Sequence, residues 1–272
     1  KTFHGFCSGV LRSDGEHVGL KPEFTIYDDD DQARMARRIL DDLDIDPKQF
    51  PPRALLGVVS HAKNNMWTPA QFAERTETYR EEVAARVYEA YESALLRSNA
   101  VDFDDLLLKT FMLFEGFPEV LEKYQQRYEH LLVDEFQDTN PLQFQIARLL
   151  ALKNRNICVV GDPDQSIYSW RHADPANLTD FQATFKGTKI VTLDQSYRST
   201  QIILEAADAV IGNNDDRMEK ELWTENSRGN RVTVAEAYNE EEEARLVLEE
   251  TARLRQKEGI GQNEIAVMYR VN

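Results

Sequence analysis

Residues 130–140 read His-Leu-Leu-Val-Asp-Glu-Phe-Gln-Asp-Thr-Asn, and the apolar stretch Leu131, Leu132, Val133 stops abruptly at two adjacent carboxylates, Asp134 and Glu135. In an open parallel sheet the ligand crevice lies outside the carboxyl ends of the strands, so a buried strand here would deliver both acids to that crevice. One carboxylate can hold Mg²⁺ while the second orients an attacking water, which is the chemistry of nucleotide hydrolysis. A bare acidic pair also fits a solvated strand end or a helix N-terminus, so the assignment depends on what else the chain carries.

Two further blocks place unusual residues just after apolar runs. Residues 157–160 (Ile-Cys-Val-Val) read as a second buried strand, Gly161 as a turn that lets backbone approach a ligand, and Gln165 as an amide at that ligand. Tyr168, Trp170 and Arg171 then put two aromatics and a guanidinium within four residues, a cluster on which unpaired bases can stack. For the two rings alone, core packing is the competing reading. The third block, residues 190–200, is a β-branched strand ending in Tyr197 and Arg198, an aromatic able to stack on adenine beside a bidentate phosphate binder. Its alternative is a surface Arg paired with Asp194.

DEFQDTN (134–140), GDPDQSIYSWR (161–171) and QSYRST (195–200), in that order and spacing, resemble motifs II, III and IV of superfamily 1A DNA helicases, the UvrD/PcrA/Rep group. Residues 2–7 resemble that family's motif Ib, and residues 264–270 a strand of its second motor domain, so the resemblance runs nearly end to end. The resemblance implies Asp134 as Mg²⁺ ligand, Glu135 as catalytic base, Gln165 as γ-phosphate sensor, Tyr197 as adenine stack and Arg198 as phosphate-binding arginine. It further implies Tyr168, Trp170 and Arg171 along a single-stranded DNA track, Phe3 and His4 near the DNA backbone, and 3′ to 5′ translocation with unwinding, driven by ATP bound between two motor domains. Two positions depart from the pattern. His172 stands where the family usually has Gly, and Ser196 where Asn is frequent, which bears on local DNA geometry and on subfamily.

No G-x-x-x-x-G-K-[ST] run occurs in the 272 residues. The resemblance therefore implies the middle of a helicase, with the phosphate-gripping motif upstream, further motor motifs downstream, and an isolated chain without ATPase activity. A DNA- or protein-binding module without catalysis, and the motor part of a RecB- or AddA-like helicase-nuclease, are the alternatives.

The elements that must position these residues change character near residue 128. Helical patterns are expected over residues 6–11, 32–43, 69–73, 76–97, 103–114 and 118–128, and the long one carries an apolar stripe of Tyr79, Val83, Val87, Tyr91 and Leu95 read as core. Residues 60–65 read as a polar loop in which Lys63 and Asn64 are solvated, with DNA contact as the alternative and His61 undecided. Acidic runs at 28–31 and 240–243 precede helical patterns and suit helix N-termini, and Asp102, Asp104 and Asp105 read as caps. From 129 strands alternate with helices such as 141–152, and beyond 194 a helix at 199–211, a loop at 213–216 and strands at 231–236 and 265–269 are expected. The expected fold class is α/β: incomplete RecA-like parallel-sheet motor-domain parts with a large all-helical insert. The corresponding domains are a helical domain over 1–128, the later part of the first motor domain over 129–193, and the start of the second over 194–272.

A net charge of −16 argues against holding nucleic acid by bulk electrostatics, though not against a narrow track built on stacking. With 42% hydrophobic residues there is enough for real cores. The two cysteines, Cys7 and Cys158, lack metal spacing and read as reduced core residues. No apolar run approaches the roughly 20 residues of a membrane span and no signal-like segment is present, so a bacterial-type cytoplasm is expected.

Overall fold

Many helix starts in this chain are written in local side-chain chemistry. The computed structural model describes residues 1–214 and 220–269, apart from the side chain of Arg171. The chain divides into two compact units, Lys1–Val191 and Thr192–Asn272.

In the first unit, α1 (Phe3–Asp14) begins where the Thr2 hydroxyl accepts from the Gly5 amide. β1 (Thr25–Ile26) is followed by α2 (Asp29–Asp42), whose N-terminus is a capping box between Asp28 and Asp31, so the acidic run serves the helix start. α3 (Pro52–Asn64) runs straight through the residues expected to form a polar loop. Lys63 and Asn64 are buried in its last turn, and the loop reading is wrong because their partners lie some 40 residues onward. α4 (Pro69–Ala73) and α5 (Tyr79–Arg97) follow, each with a Thr capping box. Val83, Val87, Tyr91 and Leu95 of α5 are buried as expected, whereas Tyr79 is exposed at the helix start. β2 (Ala100–Val101) pairs in parallel with β1 and leads into α6 (Phe103–Gly116), capped by Asp102, and α7 (Pro118–Arg127).

β3 (Leu131–Val133) and β4 (Ile157–Val159) form a parallel pair in the register Leu131 to Ile157 and Val133 to Val159. Between them lies α8 (Pro141–Ala151), started by an Asn140 capping box, and beyond them α9 (Asn177–Thr184). Leu132 is 79% exposed and Cys158 is also exposed, so these strands are not buried on both faces. Each has one described neighbour, and alternate side chains face away from the covering helices.

Three cores hold this unit. One joins α1, α6, α7 and α8 through Cys7, Leu107, Phe114 and Ile146; a second joins α2, α3 and α5 through Leu40, Val59, Tyr88 and Tyr91. The third packs Phe136, Phe144, Phe181 and Phe185 against Val133 and Val159, directly beneath the ends of β3 and β4.

The second unit contains α10 (Gln201–Ile211) and α11 (Glu240–Lys257), with Asn239 capping the Glu-rich start of α11. Residues 190–193, 231–236 and 265–269, expected as strands, are irregular, and the region's described β-pairing is the parallel bridge Gln195 to Trp223. A β-branched run is a strand only when an edge is there to pair with it. Asp215 and Asp216 of the expected 213–216 loop, and Arg270 of the 264–270 segment, lie outside the described residues.

Candidate nucleotide and nucleic-acid site

The ladder between β3 and β4 continues past the strands and fixes the loops that follow. Val160 N donates to Val133 O at 2.8 Å, and Phe136 N donates back to Val160 O at 2.9 Å, so the acidic loop and the glycine loop leave the sheet side by side. Phe136 is wholly buried against Phe144 and Phe181, which anchors the turn from below. Asp134 and Glu135 stand exposed above it. Asp134 Oδ1 accepts from the Glu135 amide at 3.0 Å. Glu135 takes the left-handed backbone conformation (φ 51°), a placement costing about 1–2 kcal/mol for a residue with a side chain.

Gln137 was not singled out from sequence, yet it joins the two loops. Its Nε2 donates to Glu135 Oε2 at 2.8 Å, while its Oε1 accepts from the Asp162 amide at 3.0 Å. Asp162 Oδ2 accepts in turn from Gln165 Nε2 at 2.8 Å, so Glu135 and Gln165 are the two ends of one hydrogen-bonded run. The signal was a glutamine one residue after an apolar anchor, where a buried amide must find partners. Gly161 is explained by the same contact: a Cβ there would lie 2.9 Å from Gln137 Oε1 and 3.2 Å from Gln137 N. The close approach is thus to the neighbouring loop. Asp138 has its carboxyl raised, by burial first and then by the charge of Glu135.

Beyond Gln165, a 3₁₀ turn at Ser169–Arg171 carries the aromatic cluster. Trp170 is 65% exposed and its ring centroid lies 6.1 Å from that of Tyr168, a surface pair and not core packing. His172 follows with φ 64°, the left-handed region that favours glycine, so the departure from the expected Gly falls at a position demanding that conformation. Its ring lies 5.6 Å from that of His61 on α3, and its imidazole is held below the usual value by burial and then by His61. Phe3 and His4 are half-buried in the first turn of α1; the His4 ring meets Phe103 edge-on at 5.8 Å, and burial lowers its basicity against the opposing pull of Asp104.

In the second unit Tyr197 is 81% exposed, with its hydroxyl donating to Gln195 Oε1 at 2.8 Å, and Arg198 is exposed beside it. Among the described residues no ion pair joins Arg198 to Asp194. Ser196 N donates to Trp223 O at 2.7 Å and Asn226 Nδ2 donates to Ser199 O at 3.2 Å, so residues 223–226 hold this loop.

A second cluster, also missed from sequence, is centred on the buried Lys63, Asp102 and Asp105, with Glu92 and Lys109 half-buried at its edge. The Lys63 ammonium contacts Asp102 at 2.7 Å, Asp105 at 2.8 Å and Glu92 at 2.7 Å, and Lys109 contacts Glu92 at 3.2 Å. Three carboxylates face two ammoniums, so one negative charge is unbalanced. Burial and the neighbouring Asp102 push Asp105 up to about 7; Glu92, despite burial, is held near 2 by Lys63 and Lys109. Lys63 itself is raised well above its usual value, because the carboxylates outweigh burial.

The parallel pair of β3 and β4 thus carries an acidic loop and an amide-bearing loop side by side at its carboxyl end. The chain belongs to the UvrD/PcrA-type superfamily 1 helicase family: the UvrD/REP helicase N-terminal domain matches residues 1–186 and the UvrD-like helicase C-terminal domain residues 191–272. Proteins named ATP-dependent DNA helicase PcrA are similar across the whole chain. That of Leuconostoc citreum is 45% identical over 271 residues, covering 100% of this chain and 36% of the relative. Those of Staphylococcus aureus strain Mu50 and of Staphylococcus epidermidis are each 42% identical, with 37% of the relative covered. The chain therefore spans a little over a third of the length of these curated relatives.

Proposed function

We propose that this chain supplies part of the hydrolytic and DNA-contacting machinery of an ATP-dependent DNA helicase that moves 3′ to 5′ on single-stranded DNA and unwinds duplex at junctions. The observation that carries the reading is the run from Glu135 through Gln137 and Asp162 to Gln165, which couples a candidate base to a candidate phosphate sensor across adjacent strand ends. Asp134 suits Mg²⁺: it is exposed, and this ion is typically bound through one or two carboxylates together with substrate phosphates. Asp134 would hold the ion, which when bound would supply positive charge against the phosphates of the nucleotide. Glu135 orients and deprotonates the attacking water, Gln137 holds that carboxylate in place, and Gln165 donates to the γ-phosphate. Tyr197 stacks on adenine and Arg198 binds phosphate. Tyr168, Trp170 and Arg171 contact bases, and Phe3 and His4 lie toward the DNA backbone.

On this reading residues 1–128 are a helical insert carrying motif Ib, 129–193 the later part of a RecA-like motor domain, and 194–272 the start of a second. The isolated chain, lacking a phosphate-gripping loop, does not turn over ATP. In the complete natural protein, Glu135→Gln should lower ATP turnover by about 10²–10⁴-fold while ATP binding persists. Unimpaired turnover in that variant contradicts the assignment of the base.

A further inference from the structure

The last turn of α3 touches the exits of both functional loops. Asn64 Oδ1 accepts from Asn140 Nδ2 at 2.6 Å, and Asn64 Nδ2 donates to Asp104 Oδ1 and to Ser60 O, each at 2.9 Å. Asn140 ends the acidic loop and caps α8, its Oδ1 accepting from the Gln143 amide at 2.8 Å. The preceding Thr139 carbonyl accepts from Asp174 N at 3.0 Å and from Asn177 Nδ2 at 2.8 Å, both just beyond the aromatic cluster. One turn earlier on α3, the His61 ring meets His172, the residue after Trp170 and Arg171. The turn holds its shape and moves as one piece, because Lys63 is ion-paired to Glu92, Asp102 and Asp105.

Asn64 and Asn140 are both buried, and the oxygen and the nitrogen of each side-chain amide are hydrogen-bonded. Turning either amide over would break bonds on both sides, so the pair has one good arrangement and resists gradual displacement. Buried polar contacts of this kind contribute little net stability compared with apolar packing, and their best-attested use is to fix one arrangement among several.

We propose that the last turn of α3, through Asn64 and His61, is a positioning element that couples the aromatic loop to the acidic loop, and that it sets how strongly DNA stimulates ATP turnover. The inference rests on the ATP-hydrolysing reading above. Movement of Tyr168 and Trp170 on base stacking shifts His172 against His61, and the rigid turn passes that shift to Asn140 and hence to the loop bearing Glu135. Neither Asn64 nor His61 touches nucleotide or DNA in this scheme.

Two variants of the complete protein separate coupling from folding. Asn140→Ser keeps a good helix cap for α8 but removes the amide that reaches Asn64. His61→Ala alters an exposed ring and leaves the buried cluster intact. ATP turnover is measured with and without a single-stranded oligonucleotide, together with KM for ATP. Both variants should keep basal turnover and KM while the stimulation by DNA falls by roughly 3- to 30-fold, and Asn64→Ala combined with Asn140→Ser should be no worse than either alone. Wild-type stimulation in both variants overturns this inference while sparing the hydrolytic reading, and an equal fall of basal and stimulated rates overturns it in favour of a structural role. Absence of any stimulation in the unsubstituted protein overturns both.

Discussion

At Trp170 the chemistry is that of a large ring held at the surface by a short turn. Sequence could name the residue but not choose between base stacking and core packing, because both use an aromatic beside a tyrosine; exposure of the ring removes the second option. Trp170→Ala in the complete protein should weaken single-stranded DNA binding by about 1–3 kcal/mol, the worth of a lost base stack, with little change in fold. Fluorescence-anisotropy titration with an oligonucleotide checks this, and unchanged affinity removes Trp170 from the track. Asp134 and Glu135 could be picked out as candidates because carboxylates are unusual at the end of an apolar run, and Gln165 because it follows a second such run and its glycine turn. Gln137 and Asp162 were not, since their role lies in meeting each other from different loops 25 residues apart.

Among the elements, helices were the most legible. Caps at Asp28, Thr78, Asp102 and Asn140 and the stripe on α5 are local signals, and the starts of α2, α5, α6 and α8 follow from those caps. The end of α3 was misread as a loop because Lys63 and Asn64 look hydrophilic, and only the acids of α5 and α6 make them core residues. Strands beyond residue 190 were overcalled for the same non-local reason. Removing the cation, as in Lys63→Met, leaves Asp102 without its ammonium and Glu92 and Asp105 with Lys109 alone, and should destabilise the first unit by about 3–5 kcal/mol, read from the midpoint of urea unfolding. The cluster also has a pH signature. Asp105 is raised from 3.8 to about 7, so the folded state holds its proton more tightly than the unfolded chain, and this group's contribution to stability declines as pH rises between those values. Asp105→Asn carries no such proton; wild-type stability relative to this variant should therefore fall between pH 4 and 7 and then level off, as denaturant titrations at several pH values would record. A pH-independent difference contradicts a protonated Asp105.

For the whole molecule, two separately compact units that meet at residue 191 correspond to two family matches, over residues 1–186 and 191–272. Across residue 128, α6, α7 and α8 share one core. A net charge of −16 argues against holding nucleic acid by bulk electrostatics, so the proposed contact rests on local stacking groups. The account stands on Glu135 and Gln165 acting through one bridge, and the most direct test is the steady-state ATPase of Gln137→Leu in the complete protein with DNA present. Cutting the bridge while keeping side-chain volume should lower kcat by about 10- to 100-fold with ATP affinity nearly unchanged, as expected when a group that orients a base is lost. Wild-type kcat in that variant would contradict the account.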